Sequence, residues 1–109
     1  MSSDVEKRFQ ADVVKRLRRM FSGCVILKND PDYLQGVPDL LVLHGDKWAA
    51  LECKSDPAAS FQPNQEYYIG KMKGMSYAAV IHPQNRELVL NDLQQAFGAR
   101  RAARLPRTQ

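Results

Sequence analysis

The chain has 109 residues, 44% hydrophobic and 26% charged, with a net charge of +4. That length suits one domain with one core, and at this size folding buries roughly two thirds of the unfolded surface without disulfide staples. No apolar run approaches the roughly 18 residues of a bilayer span, so a membrane protein is not expected.

In chain order, Ser3-Asp4-Val5-Glu6 has the form of a capping box, with Ser3 as N-cap and Glu6 three residues later. An amphipathic helix is predicted from there to about Phe21, stopped by Ser22-Gly23. Residues 24–28 (CVILK) read as a strand and 29–36 (NDPDYLQG) as a loop punctuated by Pro31 and Gly36. Residues 38–43 (PDLLVL) and 47–54 (KWAALECK) read as strands of a hairpin with Gly45-Asp46 at its turn. After a second loop, SDPAASFQP, a helix is predicted from Asn64 to Lys73, stopped by Gly74. Strands are predicted at 76–81 (SYAAVI) and 86–90 (RELVL), separated by the turn HPQN. Asn91 would cap a short helix, DLQQAF, ended by Gly98. Residues 1–98 form the expected domain and 99–109 a basic C-terminal tail. The order α-β-β-β-α-β-β-α specifies a small α/β domain.

Charge is unevenly spread. Residues 1–28 carry seven Lys/Arg against three Asp/Glu, residues 29–98 five against nine, and residues 99–109 four Arg and no acid. Basic ends suit a polyanion. Lys15, Arg16, Arg18, Arg19, Arg100, Arg101, Arg104 and Arg107 are the candidate polyanion contacts, each weighed against a plain solvated face or a disordered tail. The acidic centre needs a separate reason.

Hairpin register supplies one. A tight turn at Gly45-Asp46 sets His44 opposite Lys47, Leu43 opposite Trp48, Leu41 opposite Ala50 and Asp39 opposite Glu52. Opposed Cβ atoms lie roughly 4.5 to 5.5 Å apart, and side chains alternate between faces, so Asp39, Glu52 and Lys54 share one face. Two carboxylates that close require a cation between them or a proton on one. Mg²⁺ fits, because it takes carboxylate oxygens and retains several waters. A β-bulge between Asp39 and Glu52 would break the arrangement.

The first helix adds an acid. At about 100° per residue, Glu6 falls in the middle of the stripe made by Phe9, Val13, Leu17 and Met20. Two roles stand open: Glu6 serves the capping box, or it leans over the sheet as a third carboxylate.

Asp39 after Pro38, then Glu52-Cys53-Lys54, with a helical acid upstream, resembles the PD-(D/E)XK nuclease superfamily. The closer resemblance is to its VRR-NUC branch, the virus-type replication-repair nuclease domain. GVPDLLVL, ECK and SFQPNQEYYIGKM correspond to the branch's Gly-x-Pro-Asp, Glu-x-Lys and a helix with Gln near its start. The resemblance covers most of residues 3–81. It implies an α-β-β-β-α-β core with a mixed sheet flanked by helices. It also implies Asp39 and Glu52 as metal ligands, the Cys53 carbonyl as a further ligand, and Lys54 as the catalytic lysine. The family's Gln maps to Gln65, with Gln62 the other choice, and its helical acid maps to Glu6, a further candidate ligand. The activity so implied is a Mg²⁺-dependent endonuclease, with Mn²⁺ able to substitute, that hydrolyses DNA to 5′-phosphate and 3′-hydroxyl ends.

The short chain is similar to stand-alone phage and bacterial members related to Holliday-junction resolvases. A structure-selective enzyme acting on branched DNA is therefore expected. A homodimer is expected as well, because one domain carries one site and cutting two strands needs two. Two other readings stay open: a DNA-binding protein that has lost cleavage, and a restriction-type, sequence-reading endonuclease. The N-terminal MSSDVEKRF lacks the basic-then-apolar form of a secretory signal, so a cytoplasmic location in a bacterium or phage-infected cell is expected. Cys24 and Cys53 lie in apolar segments and read as reduced packing residues. Two Cys and two His, widely spaced, make zinc unexpected. His44, His82, Trp48, Tyr68, Asp30 and Asp32 read as turn, core or solvated residues, and the Cys53 thiol is expected on the opposite face with Leu40 and Leu51.

Overall fold

The structure, a computed structural model, describes residues 4–104, and for 99–104 the backbone alone. Helix α1 spans Asp4–Met20 and buries Phe9, Val13, Val14 and Leu17, the spacing of one helical face. Asp4 and Glu6 lie in its first turn and Arg18 and Arg19 in its last, complementing the helix dipole at both ends. Ser3, the expected N-cap, lies outside the described residues. Strands β1 (Val25–Lys28), β2 (Leu40–His44) and β3 (Lys47–Cys53) follow, then α2 (Gln65–Lys73), β4 (Tyr77–Ile81) and α3 (Arg86–Arg104).

The described residues form one four-stranded sheet in the order β1-β2-β3-β4. The first two pairings are antiparallel and β3–β4 is parallel. A parallel pair needs a crossover, and α2 provides it. In the hairpin, His44 pairs with Lys47, Leu43 with Trp48, Leu41 with Ala50 and Leu40 with Leu51, the register read from the sequence. Gly45 has φ +63° and Asp46 does not share a positive φ, the pattern of a type II′ turn whose twist matches its strands.

One sheet face presents Leu40, Val42, Ala49, Leu51, Cys53 and Ile81 to α1 and α3, which contribute Leu17, Phe21, Leu90, Leu93 and Phe97 to the same core. Fully burying a Leu such as Leu51 or Leu93 is worth about 2 kcal/mol in transfer free energy alone. Helix α2 packs on the other face, over β4 and β3, where Ala50 and Ala78 leave room beneath Ile69. The α/β class is as expected, with α1 and α3 on one side and α2 on the other.

One expected strand is helical. Residues 86–90 open α3 instead of forming a fifth strand, and α3 passes through both Asn91 and Gly98. The buried residues are Val89, Leu90, Leu93 and Phe97, a helical spacing, while Leu88 is 64% exposed. Asn85 fixes the start: its Oδ1 accepts the His82 N–H at 2.8 Å, its Nδ2 donates to Val80 O at 2.9 Å, and its carbonyl accepts Val89 N–H at 2.9 Å. The stretch expected as a basic tail therefore begins inside a helix. The side chains of Arg100, Arg101 and Arg104 and all of Arg107 lie outside the described residues.

Candidate active site

The regular β2–β3 ladder ends at Leu40–Leu51, and one step beyond it Asp39 and Glu52 grip each other's strands. The Asp39 backbone N–H donates to Glu52 Oε1 at 3.2 Å, and the Cys53 N–H donates to Asp39 Oδ2 at 2.9 Å. The register is regular up to Leu40–Leu51, and both carboxyls line the cavity at the open end of the hairpin. On the far side, Asn29 donates its backbone N–H to Asp39 O at 2.9 Å and its side-chain amide to Pro38 O, which anchors the end of β2 to β1.

Lys54 continues the β3–β4 ladder by donating its N–H to Ile81 O at 2.9 Å, and its side chain turns back toward Glu52. Its Nζ lies 3.6 Å from Glu52 Oε2, 2.9 Å from Gln65 Oε1 and 3.1 Å from Ser60 O. Gln65, the first residue of α2, bridges the charges. Its Nε2 donates to Glu52 Oε2 at 2.7 Å, and its Oε1 also accepts the Gln62 N–H at 2.6 Å. The amide orientation follows from this: the acceptor meets two donors and the donor meets a carboxylate. Asn64, immediately before α2, has φ 70°, the only positive φ outside glycine among the described residues, and that turn aims Gln65 inward. Of the two glutamines, Gln65 brings its side chain into this network, and Gln62 contributes its backbone N–H and lines the cavity.

Burial sets the electrostatics. Glu52 is 2% exposed, Lys54 6% and Gln65 8%. Desolvation, then the neighbouring Asp39 carboxylate, push Glu52 from its ordinary 4.5 to about 7, against the pull of Lys54. Desolvation also raises Asp39, but the Cys53 N–H steadies its charge. The pair thus shares its protons unevenly, with Glu52 the more readily protonated. The Cys53 thiol is fully buried in the core on the opposite face, among Leu40 and Leu51, and burial drives its pKa far up; it is no nucleophile.

Glu6, Pro31, Asp39, Glu52, Lys54, Ser55, Gln62 and Gln65 line a cavity of about 470 Å³. Glu6 therefore stands on the same cavity wall, and its charge raises both Asp39 and Glu52. Two loops frame the opening, residues 29–39 and 55–64. They meet at Gly36, whose φ is +97° and where an added Cβ would lie 2.6 Å from Asn64 Cβ and 2.7 Å from Pro63 O. Only glycine serves there. Sequence reasoning placed Gly36 as loop punctuation and missed this contact.

The donor set suits a hard divalent cation. Two carboxyls face a cavity, and burial, then the neighbouring Asp39 carboxylate, makes Glu52 readily protonated. Among the described residues no three His, Cys, Asp or Glu side chains cluster tightly enough to form an all-protein cage. Mg²⁺ does not need one, since it retains waters and takes one or two carboxylates.

The remaining candidates sort clearly. Lys15, Arg18 and Arg19 are exposed on α1, whereas Arg16 is half-buried and its guanidinium grips Glu87 of α3 with two bonds of 3.0 and 2.6 Å. Asp30 accepts the Asp32 N–H at 2.9 Å, so these acids shape the loop. The His44 ring packs against Phe21 and Phe97. Trp48 and Tyr68 are half-buried. No helix among the described residues is long and apolar enough to cross a membrane. No family model and no curated protein matches this chain.

Proposed function

We propose that this chain is a metal-dependent endonuclease that hydrolyses DNA phosphodiester bonds, with the structure-selective action on branched DNA that its resemblance to the PD-(D/E)XK superfamily implies. The observation that carries the reading is the Asp39–Glu52–Lys54–Gln65 network at the floor of a cavity: two carboxyls driven together and a buried ammonium held beside them. A structural ion pair needs one acid and one base. Here two acids share one base out of water, and burial together with the Asp39 carboxylate raises Glu52 to about 7.

Asp39, Glu52 and the Cys53 carbonyl would hold Mg²⁺, with Glu6 positioned on the wall to hold a water at the rim. When bound, the cation polarises the phosphate and lowers the pKa of a water. The chain's own residues do the rest. Lys54, fixed by Gln65 Oε1 and Ser60 O, presents its ammonium to the negative charge that grows on the phosphate oxygens. Gln65 bonds both Lys54 and Glu52 and so fixes the two side chains relative to each other. The exposed Lys15, Arg18 and Arg19 lie roughly 14 to 20 Å along α1 from Glu6 and are the candidate contacts to the DNA backbone. A homodimer supplies the second site that a two-strand cut requires.

Supercoiled plasmid, linear duplex and a four-way junction are incubated with Mg²⁺, Mn²⁺ or EDTA. Cutting with either metal, none with EDTA, and a loss of about a thousandfold in Lys54→Ala and Asp39→Ala with DNA binding retained are expected. Absence of metal-dependent cutting on every DNA, or a normal rate in either variant, overturns the reading.

A further inference from the structure

The sequence shows no ladder of aromatic residues, yet the structure sets exposed rings on both loops that frame the cavity. Tyr33, 89% exposed, follows two residues after Pro31, which lines the cavity. Phe61, 41% exposed, stands between Ser60 and Gln62, both of which line it from the other loop.

A single exposed ring means little by itself. Phe61 differs in how it is held. The residue before it accepts a hydrogen bond from Lys54 Nζ at 3.1 Å, and the residue after it donates its N–H to Gln65 Oε1 at 2.6 Å. The segment is thus fastened on both sides to the catalytic network, and the Phe61 ring centroid lies 5.5 Å from Lys54 Nζ. The contact at Gly36 joins this loop to the one that carries Tyr33. A phosphate drawn to Lys54 therefore arrives beside a fixed, partly uncovered π-face. The nearest flat apolar group attached to that phosphate is its own nucleobase. In an intact duplex both faces of that base are already stacked. The ring gains a partner only where the base is unpaired.

Resting on the nuclease reading above, we propose that Phe61 stacks on an unpaired base adjoining the phosphate at Lys54, and that the site selects DNA that is single-stranded or splayed next to the scissile bond.

The test uses the full chain, with Phe61→Ala and Phe61→Trp, on two substrates of identical sequence: a continuous duplex and one with a splayed arm. The ratio of kcat/KM for splayed over duplex DNA is expected to fall about tenfold in Phe61→Ala and to survive in Phe61→Trp. A second readout does not need turnover. A splayed oligonucleotide carrying 2-aminopurine at the unpaired position should be quenched on binding to wild type and not on binding to Phe61→Ala. An equal slowing of both substrates in Phe61→Ala, which would mark a ring that only steadies Lys54, overturns the inference. So does quenching that ignores Phe61. Phe61-dependent quenching without cleavage of any DNA would uphold the stacking and sink the nuclease reading alone.

Discussion

Two of the ion-paired clusters among the described residues behave in opposite ways. Arg16 and Glu87 clip α1 to α3 through a bidentate bond in open solvent. There the partner guanidinium pulls the Glu87 carboxyl below its usual range and raises Arg16, so each charge is favoured by the other. Glu52 and Lys54 are buried, their nitrogen and oxygen are 3.6 Å apart, and the carboxyl still goes up to about 7. The contrast lies first in burial, which strips water from Glu52, and then in the neighbouring Asp39 carboxylate. The clip is one acid on one base, with Arg86 a further cation 3.4 Å away. The buried set adds Asp39 and the field of Glu6 to a single ammonium, out of water. A cluster arranged for stability alone would not be built that way.

The largest expected effect falls on the buried set and on pH. Burial holds a proton on Glu52 from the ordinary 4.5 up to about 7. The folded state binds more protons than the unfolded one across that window, so stability is fully present below it and is lost as pH rises through 7. The difference reaches at most about 3 kcal/mol by pH 8, and the raised Asp39 acts in the same direction. Thermal unfolding in EDTA should therefore show a midpoint that falls between pH 5 and pH 8. Glu52→Gln should flatten that profile and melt above wild type at pH 8. Mg²⁺ should restore wild type most strongly at the alkaline end and do little for the variant. A wild-type profile that rises with pH in EDTA would erase the contrast between the two clusters.

A smaller loss is expected at Gly36, where the frame of the buried set is touched and its charges are not. Gly36→Ala forces a positive φ on alanine and presses a methyl group into Asn64. Denaturant unfolding should register a loss of about 2 kcal/mol. The pH profile should keep its shape. The smallest effect belongs to the exposed clip. Arg16→Ala should leave the melting temperature close to wild type, with the small difference shrinking as salt is added, because exposed pairs contribute little and are screened. A large drop there would mean the clip carries more of the α1–α3 packing than its exposure suggests.

The parts of this molecule legible in the sequence were the local ones. Gly45-Asp46 and the two apolar runs beside it fix the β2–β3 register, and that register delivers Asp39, Glu52 and Lys54 to one place with no knowledge of the remaining chain. α1 was legible from periodicity and from Ser22-Gly23 at its end, and α2 from the Gly74 that stops it. What failed was decided at a distance. RELVL reads as a strand only until Val89, Leu90, Leu93 and Phe97 find the core beneath them, and then Leu88 is the residue left outside. Arg16 read as free for DNA because its partner lies 71 positions away. The choice of Gln65 over Gln62 depends on the left-handed turn at Asn64, and the need for glycine at position 36 depends on that same residue across the loop.

Glu52 and Cys53 are adjacent in the chain, and a single pleat separates the cavity floor from the dry interior. The gene is therefore intolerant of arithmetic here. One codon added within β3 would exchange the two side chains, sinking a carboxyl among leucines and lifting a thiol toward the solvent-filled cleft, whereas a longer hairpin tip would leave both where they are. Length variation among descendants of this sequence is expected to collect at the tip and to spare the strand.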